Sequence, residues 1–275
     1  MPMQTEKGKL FRSLHQRPGA FVIPNPWDAG SARLLAHVGF EALATTSAGF
    51  AFSLGLPDGN VTRDWKLAHC REIVNATPLP VSADLEKCFA DDPAGVAETI
   101  KLAAATGLVG CSVEDATGDP DNPIFEFDHA VARVRGAVEA ARSLSFPFTL
   151  TARAENLLHG RKDMADTIRR LQAFEEAGAD VLYAPGLSTI DEVRAVVSAV
   201  SKPVNVLVVA SAKDFTVNTL SAAGVKRISV GGTLARVAYG AVLGSAQEMK
   251  SQGTFGFTFG GVSNRELNAI FQTWV

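Results

Sequence analysis

Charged side chains follow three successive apolar runs of the sequence, where they could take part in metal or acid–base chemistry. Asp84 and Glu86 follow one run, Glu114 the next, and Arg153 the one after that. Carboxylates that lie close together raise each other's pKa unless a cation lies among them. Mg²⁺, with Mn²⁺ as an alternative, would supply that charge, because it binds oxygen ligands and keeps several waters. Arg153 could then grip the carboxylate of a small 2-oxo acid, whose developing enolate the metal would stabilise.

Other polar residues occupy the same kind of position, after further apolar runs. They are Asn25, Trp27 and Asp28, then Thr45, Thr46, Ser47, Asp58 and Asn60, then Ser82, Glu155 and Asn156, and finally Tyr183 and Asn205. From this set we predict that Trp27 and Asn205 contact the substrate. An isolated aspartate before a helix is usually its N-cap, so Asp28 is predicted to cap the helix that follows it. Cys88 and Cys111 are predicted to fill the core.

These residues must be positioned by alternating strands and helices, which the periodicity of the apolar residues indicates. Eight strand–helix units in about 240 residues are typical of a (β/α)8 TIM-type barrel, whose active site lies at the carboxyl ends of the strands. A doubly wound open sheet is the alternative, although no Gly-x-Gly-x-x-Gly follows the first strand. A loop rich in Ser and Gly is expected after the second strand. The predicted strands are 20–24, 41–45, 79–84, 108–113, 148–152, 181–183, 204–208 and 227–230, and the predicted helices are 29–38, 64–75, 92–106, 130–142, 163–177 and 190–199.

The composition excludes several classes of protein. The chain has 275 residues and a formal net charge of −3, so it lacks the positive charge typical of proteins that bind nucleic acid or anionic membranes. Three scattered cysteines form no disulfide framework or zinc pattern. No apolar stretch is long enough for a signal peptide or a membrane span. We therefore predict a cytoplasmic protein that binds a small carboxylic acid and neither nucleic acid nor membrane.

A single domain is predicted over residues 1–275, because no linker or change of composition interrupts the chain. Residues 251–275 are assigned to oligomerisation. Within them, 264–275 is predicted to be an amphipathic helix whose apolar face needs a partner, such as another subunit. The apolar residues of that face are Leu267, Ile270, Phe271 and Trp274.

Six sequence stretches, each at a predicted strand end and in a fixed order, resemble a known family. They are 25–33 (NPWDAGSAR), 45–49 (TTSAG) with 53–60 (SLGLPDGN), 82–86 (SADLE), 111–117 (CSVEDAT), 151–156 (TARAEN) and 176–185 (EAGADVLYAP). Between about Phe21 and Val209 the chain resembles the isocitrate lyase/phosphoenolpyruvate mutase superfamily. The resemblance implies Mg²⁺-dependent chemistry on 2-oxo or 2-hydroxy acids, in which a C–C or P–C bond is broken or made through a pyruvate-type enolate. It also implies an eight-unit barrel whose last helix is swapped between the subunits of a homodimer or homotetramer.

The resemblance further implies roles for single residues. Asp58, Asp84 and Glu114 match the metal-site acids, some of which act through bound waters, and Arg153 matches the arginine that holds the substrate carboxylate. Ser82 stands at a metal-site position where many relatives have Asp. The residues that match the loop holding the oxo-acid end, through hydroxyl and backbone N–H groups, are Thr46, Ser47 and Ala48. Arg153, Asp58 and Glu114 are therefore the predicted catalytic residues.

Two regions depart from the family pattern. Isocitrate and methylisocitrate lyases carry a Lys-Lys/Arg-Cys-Gly-His loop after the fourth strand, but residues 116–127 hold neither Cys nor His. Phosphonopyruvate enzymes place a Lys and an Asn on that loop, and here only Asn122 corresponds. The turn after the third strand usually ends Gly-Tyr/Phe-Gly. Because Cys88 and Ala90 lack the freedom of glycine at positive φ, we expect this turn to be rebuilt, with Lys87 as a cation near the acids.

We therefore predict a Mg²⁺-dependent lyase-type enzyme that cleaves a C–C bond of a small 2-oxo or 2-hydroxy acid, by decarboxylation or by a retro-aldol reaction. Three alternatives stay open. One is a phosphonopyruvate mutase or hydrolase, and another is an inactive barrel that only binds a metabolite. The third is a phosphate-binding barrel that uses Gly231 and Gly232 after the eighth strand.

Overall fold

The computed structural model describes residues 3–274 and contains eight parallel strands in one sheet. The strand order is β1-β8-β7-β6-β5-β4-β3-β2. A backbone hydrogen bond of 3.1 Å from Ala44 N to Pro24 O links the two edges of the sheet, so the barrel is nearly closed. The predicted (β/α)8 architecture is thereby confirmed. The strands are β1 Phe21–Ile23, β2 Leu43–Ala44, β3 Val81–Asp84, β4 Gly110–Glu114, β5 Thr149–Arg153, β6 Val181–Tyr183, β7 Val204–Leu207 and β8 Arg227–Ser229.

Helices follow the strands around the barrel, and two of them, 29–38 and 190–199, have the predicted bounds. The helices are α1 Gln4–Leu14, α2 Ala29–Val38, α3 Ser47–Ser53, α4 Arg63–Ala76, α5 Pro93–Ala104, α6 Phe127–Arg142, α7 Met164–Glu176, α8 Ile190–Ala199, α9 Val217–Ala222, α10 Thr233–Gln252 and α11 Asn264–Gln272, with a 3-10 turn at Gly256–Gly260. No helix of the described residues, 3–274, is long and apolar enough to cross a membrane.

Helix α1, which the sequence analysis did not predict, closes the amino-terminal end of the barrel. Its Phe11 and Leu14 pack with Phe21 and Ile23 of β1 in one buried cluster. Phe21 begins β1, so this cluster lies where the strands start. The opposite end, where the strands finish, is therefore the end that can be open to a substrate.

Helix α3 corrects the prediction of a loop after β2. Thr46 caps this helix, because its hydroxyl oxygen accepts a hydrogen bond of 3.2 Å from Gly49 N. Phe50 and Ala51 of the helix are buried. A Cβ atom on Gly49 would lie 2.6 Å from Thr46 Cγ2. The Ser- and Gly-rich stretch therefore reflects an N-cap and close packing and not a flexible loop.

Two predicted structural roles are confirmed. Asp28 caps α2: its carboxylate accepts a hydrogen bond of 2.6 Å from Ser31 N, and its own N–H donates to Ser31 Oγ at 3.1 Å. Cys88 and Cys111 are buried free thiols in the main core cluster. Burial raises the pKa of the Cys88 thiol to about 12, so this cysteine is a core residue and not a nucleophile.

The turn after β3 has a left-handed backbone at three residues, although it contains no glycine. Glu86, Cys88 and Phe89 have φ values of 53°, 61° and 54°. The expectation that Cys88, which lacks the freedom of glycine, would avoid this conformation is therefore wrong. That the turn is rebuilt relative to the family stays a prediction. Such backbones each cost roughly 1–3 kcal/mol, so the surrounding structure must hold them. Lys87 Nζ is bound to Asp91 at 2.6 Å, and not to the acids at the strand ends.

Arg133 of α6 supplies much of that support. Its side chain is fully buried. Nη2 donates to the carbonyl oxygens of Lys87 and Ala90, at 2.6 and 3.2 Å, and Nη1 donates to the carbonyl oxygen of Glu114 at 2.8 Å. One guanidinium therefore joins the turn after β3 to the end of β4, the two places that carry the predicted metal-site acids.

The carboxyl-terminal helices are weakly buried. Among the described residues α10 buries only Ala235, and α11 has no buried residue. The predicted helix 264–275 ends at Gln272. Met1, Pro2 and Val275 lie outside the described residues. The single domain over 1–275 and the exchange of segment 251–275 between subunits stay predictions.

We predict that Arg133→Met lowers the free energy of unfolding by about 3 kcal/mol, because three buried carbonyl oxygens lose their donor. Urea denaturation followed by circular dichroism measures the change. Arg135→Met, on the exposed side of the same helix, is the matched control and should change stability by less than about 0.5 kcal/mol. Equal stability of the two variants would show that Arg133 does not hold the turn.

Candidate active site

The guanidinium of Arg153 lies at the centre of a cluster of acids at the carboxyl ends of β3, β4 and β5. Nη1 is 3.0 Å from Asp84 Oδ1, Nη2 is 3.3 Å from Glu114 Oε2, and Nε is 2.8 Å from Glu155 Oε1. The register of the strands explains why these side chains lie together, because Glu114 and Arg153 are paired across β4 and β5. The structure thus brings together Asp84, Glu114 and Arg153 as predicted, and adds Glu155.

The acids of this cluster have different protonation tendencies. Burial raises the pKa of Glu114 well above its usual value, although Arg153 opposes the shift. Burial also acts on Asp84, but Arg153, Lys66 and the backbone N–H groups of Glu86 and Ser47 together outweigh it and lower the pKa of that carboxyl. Burial and the charge of Asp84 raise the pKa of Glu86 to about 7. Neighbouring carboxyls whose pKa values are pushed apart are typical of acid–base sites.

Backbone and hydroxyl groups after β2 form hydrogen bonds with Asp84 of this cluster. Ser47 N donates to Asp84 Oδ2 at 3.3 Å, and Thr45 Oγ1 accepts a hydrogen bond of 3.1 Å from Asp84 N. The Thr46 hydroxyl, predicted to bind substrate, is the N-cap of α3. This segment and the end of β3 therefore form one wall.

Two adjoining cavities lie at this end of the barrel, and Ser47, Asp58 and Arg153 line both. The inner cavity, of about 180 Å³, runs into the barrel. The outer chamber is larger, about 540 Å³, and Glu86, Lys87, Glu114, Glu155 and His159 line it. The predicted residues that line the inner cavity are Thr46, Ser47, Ala48, Asp58, Ser82, Asp84, Arg153 and Asn205.

Trp27 is the predicted residue that the structure places elsewhere. The described residues that line the two cavities do not include it. Its carbonyl oxygen lies 2.9 Å from His69 Nε2, and its N–H donates to Ser31 Oγ at 3.0 Å. The backbone of Trp27 therefore joins the start of α2 to α4. The predicted contact with substrate has no geometric support.

The glycines after β8 serve packing. Asn25 Oδ1 accepts hydrogen bonds from Val230 N and Gly231 N, at 3.0 and 2.8 Å. A Cβ atom on Gly232 would lie 3.2 Å from Ala48 Cβ. Two of the N–H groups that a phosphate would need are therefore already bonded, which disfavours the phosphate-binding alternative.

Lys66 is a buried cation that the sequence analysis missed. Its side chain on α4 is fully buried, and among residues 3–274 its Nζ has no hydrogen-bond partner. Its charge favours the ionised forms of Asp58 and Asp84. A signal was present in the sequence, since Lys66 shares a helical face with the buried Cys70 and Ile73.

The donors at the mouth fit a hard divalent cation. Within residues 3–274 no three His, Cys, Asp or Glu side chains lie close enough to ligate one ion together. Mg²⁺ does not need such a cluster, because proteins bind it through one or two carboxylates while waters and substrate fill the other positions. Asp84 and Glu114, with Asp58 at the rim, could hold such an ion, and Mn²⁺ has the same preference for oxygen ligands.

Comparison with known proteins agrees with this geometry. The sequence model of the phosphoenolpyruvate phosphomutase family matches residues 11–250. The chain belongs to that family, within the isocitrate lyase/phosphoenolpyruvate mutase superfamily. The resemblance inferred from the motifs is thereby confirmed.

Three relatives illustrate how close the similarity is. A protein from Burkholderia cenocepacia J2315 of known crystal structure has a TM-score of 0.95 and 58% identity, covering 98% of this chain and 96% of that one. The 2-methylisocitrate lyase of Escherichia coli K12 is 31% identical over 228 residues, which are 79% of this chain and 76% of the lyase. The oxaloacetate decarboxylase of Paraburkholderia xenovorans LB400 is 28% identical over 274 residues, 96% of this chain and 88% of the decarboxylase. The relatives therefore catalyse different reactions, so membership of the family does not by itself identify the reaction of this chain.

We predict that stability in metal-free buffer falls as the pH rises from about 4.5 to 7. Over that range folded Glu86, with its pKa of about 7, holds a proton that the unfolded chain has lost, so the free energy of unfolding decreases. Glu86→Gln should flatten this dependence. Thermal melting with EDTA at several pH values measures it.

The exposed Glu139→Gln is the control and should keep the wild-type slope. Added Mg²⁺ should raise the melting temperature more at pH 8 than at pH 6, because bound carboxylates must be ionised. A Glu86→Gln variant with the same pH slope as the wild type would contradict the assignment.

Proposed function

We propose that this protein is a Mg²⁺-dependent lyase-type enzyme that cleaves a C–C bond of a small 2-oxo or 2-hydroxy acid, by decarboxylation or retro-aldol cleavage. The observation that carries the proposal is the contact of Arg153 with three carboxylates at the mouth of the barrel, the buried Glu155 and the partly buried Asp84 and Glu114. A single arginine cannot neutralise three acids and also hold a substrate carboxylate. A divalent cation would take over Asp84 and Glu114 and release the guanidinium for that second task.

Each residue would then have a defined task. Bound Mg²⁺ would supply Lewis acidity at the carbonyl oxygen of the acid. Arg153 would hold the substrate carboxylate through two parallel hydrogen bonds. Ser47 would donate to the oxo-acid end, since its backbone N–H already faces Asp84 at 3.3 Å. Glu86, whose pKa burial raises to about 7 and which lines the outer chamber, is suited to exchange a proton near neutral pH.

The loop after β4 has neither the Cys and His that isocitrate lyases carry there nor the Lys of phosphonopyruvate enzymes. Thr117 Oγ1 donates to Asn122 O at 2.6 Å, and an isolated bridge joins Ala116 to Ile124. This loop is held by its own backbone, and residues 116–127 offer no Cys, His or Lys as an acid or base. This loop counts against phosphonopyruvate mutase or hydrolase activity and equally against the isocitrate lyase reaction, and it therefore favours decarboxylation or retro-aldol cleavage of a smaller acid.

The proposal predicts turnover of at least one small 2-oxo acid with Mg²⁺, and a loss of about 100-fold or more in kcat/KM for Arg153→Met, because electrostatic contacts to the reacting acid are lost. Purified protein is assayed against oxaloacetate, 2-methylisocitrate and phosphonopyruvate by product analysis. The exposed Arg194→Met is the matched control and should keep wild-type activity.

The outcomes separate the alternatives. Phosphate or phosphoenolpyruvate formed from phosphonopyruvate would favour the P–C reaction. Melting shifts with Mg²⁺ and oxalate but no turnover would favour an inactive metabolite-binding barrel. Neither turnover nor metal-dependent binding would end the enzyme proposal.

We further propose that the protein is a homodimer or homotetramer in which α10 and α11 pack on another copy. A 20-residue helix that buries only Ala235 among the described residues leaves a long face for a partner. The most exposed large apolar residues of the segment 233–274 are Val237, Val242, Leu243, Phe255 and Phe259, at 65%, 66%, 61%, 61% and 94% exposure. Exposed large apolar side chains that cluster in one segment of the chain are typical of protein–protein interfaces.

The oligomer proposal predicts a solution mass of two or four times 29.0 kDa, measured by light scattering after gel filtration. Val242→Asp should reduce that mass, because a charge at the interface is costly to bury. Val217→Asp, on exposed α9, is the control. A wild-type monomer would contradict the proposal.

A further inference from the structure

The inner cavity ends at a buried cation that the proposed function does not use. Arg227 begins β8, so it lies deeper in the barrel than Ser229 on the same strand. It lines the cavity and is only 5% exposed. Nε donates to Asn205 Oδ1 at 2.8 Å, and Nη2 donates to Thr151 Oγ1 at 3.0 Å.

This guanidinium lacks a counter-charge. Nη1 has no hydrogen-bond partner in the part of the chain that the structure describes. Its two hydrogen-bond partners, Asn205 and Thr151, are neutral, and no carboxylate of residues 3–274 is among the groups that shift its pKa. Burial, the largest influence, lowers the pKa of Arg227 to about 10. A buried charge without a partner is costly, which indicates that an anion completes this end of the cavity.

Hydroxyl groups surround the cavity next to Arg227. The interior of a (β/α)8 barrel is normally filled by bulky branched side chains, but here Ser82, Ser112 and Ser229 line it. Their small size leaves a volume of about 180 Å³, enough for several waters at about 30 Å³ each.

We propose that the inner end of the cavity is a subsite for an oxyanion, and that its occupant is the second carboxylate of a dicarboxylic 2-oxo or 2-hydroxy acid. Arg227 has five N–H donors, of which the protein uses two, and a guanidinium binds carboxylates well. This inference rests on the proposed function, in which Arg153 holds the first carboxylate. Two arginines at the two ends of one cavity then select dicarboxylic acids over monocarboxylic acids.

The test compares two stable acids that differ by one carboxylate, (S)-malate and (S)-lactate. Their dissociation constants are measured by calorimetry with Mg²⁺ present. The wild type should bind malate about tenfold or more tightly than lactate, as expected for charge-assisted hydrogen bonds. Equal affinity for the two acids would overturn the proposal.

Three variants assign the preference to the subsite. Arg227→Met should bring the malate-to-lactate ratio to about one and leave lactate binding unchanged. Ser112→Val, which fills the cavity but keeps the arginine, should reduce the ratio in the same direction and keeps the test valid if Arg227→Met does not fold. The exposed Arg194→Met is the control. A preference for malate that persists in both cavity variants would contradict the assignment.

A further measurement identifies the source of the anion. Acetate that tightens lactate binding in the wild type but not in Arg227→Met would show that the subsite takes a separate anion, which overturns the dicarboxylate assignment. Failure of this inference and failure of the proposed function are distinguishable. An Arg227-dependent preference without turnover would count against the enzyme alone, and turnover without the preference would count against the subsite alone.

Discussion

The candidate site depends on one electrostatic constraint, the contact of the Arg153 guanidinium with the carboxylates of Asp84, Glu114 and Glu155. Three acids around one base leave a surplus of negative charge in a half-enclosed space. Burial and, to a lesser extent, the neighbouring carboxylates raise the pKa of Glu114, while Asp84 remains acidic beside Arg153 and Lys66. A cation that joined this cluster would release Arg153 and strengthen the ionised forms together. Metal binding and substrate binding are therefore expected to be coupled.

The surrounding structure maintains this arrangement against backbone strain. Arg133 ties the left-handed turn around Cys88 to the end of β4. Deeper in the barrel, Arg227 takes the place of an apolar filler and keeps polar contacts with Asn205 and Thr151. Buried arginines thus act both as supports beside the mouth and, in our proposal, as a ligand below it. The barrel interior is consequently more polar than the strand sequences alone suggest.

The architecture and the centre of the site could be predicted from the sequence, because parallel strands bring their carboxyl ends to one mouth. Asp84, Glu114 and Arg153 meet for that reason. Trp27 could not be placed, since a position after a strand does not fix the direction of a side chain. The left-handed Cys88 was unexpected because its support comes from Arg133, 45 residues away in the sequence. Helix α3 was missed because its N-cap and close-packed glycine resemble a loop composition.

A crystal structure with Mg²⁺ and oxalate would test the central claim most directly. We predict electron density for the ion between Asp84 and Glu114, with Asp58 in its water shell. Arg153 should have left these acids and should bind an oxalate carboxylate through two nitrogens. A structure at saturating Mg²⁺ in which Arg153 still contacts all three acids, with no ion between them, would contradict the account.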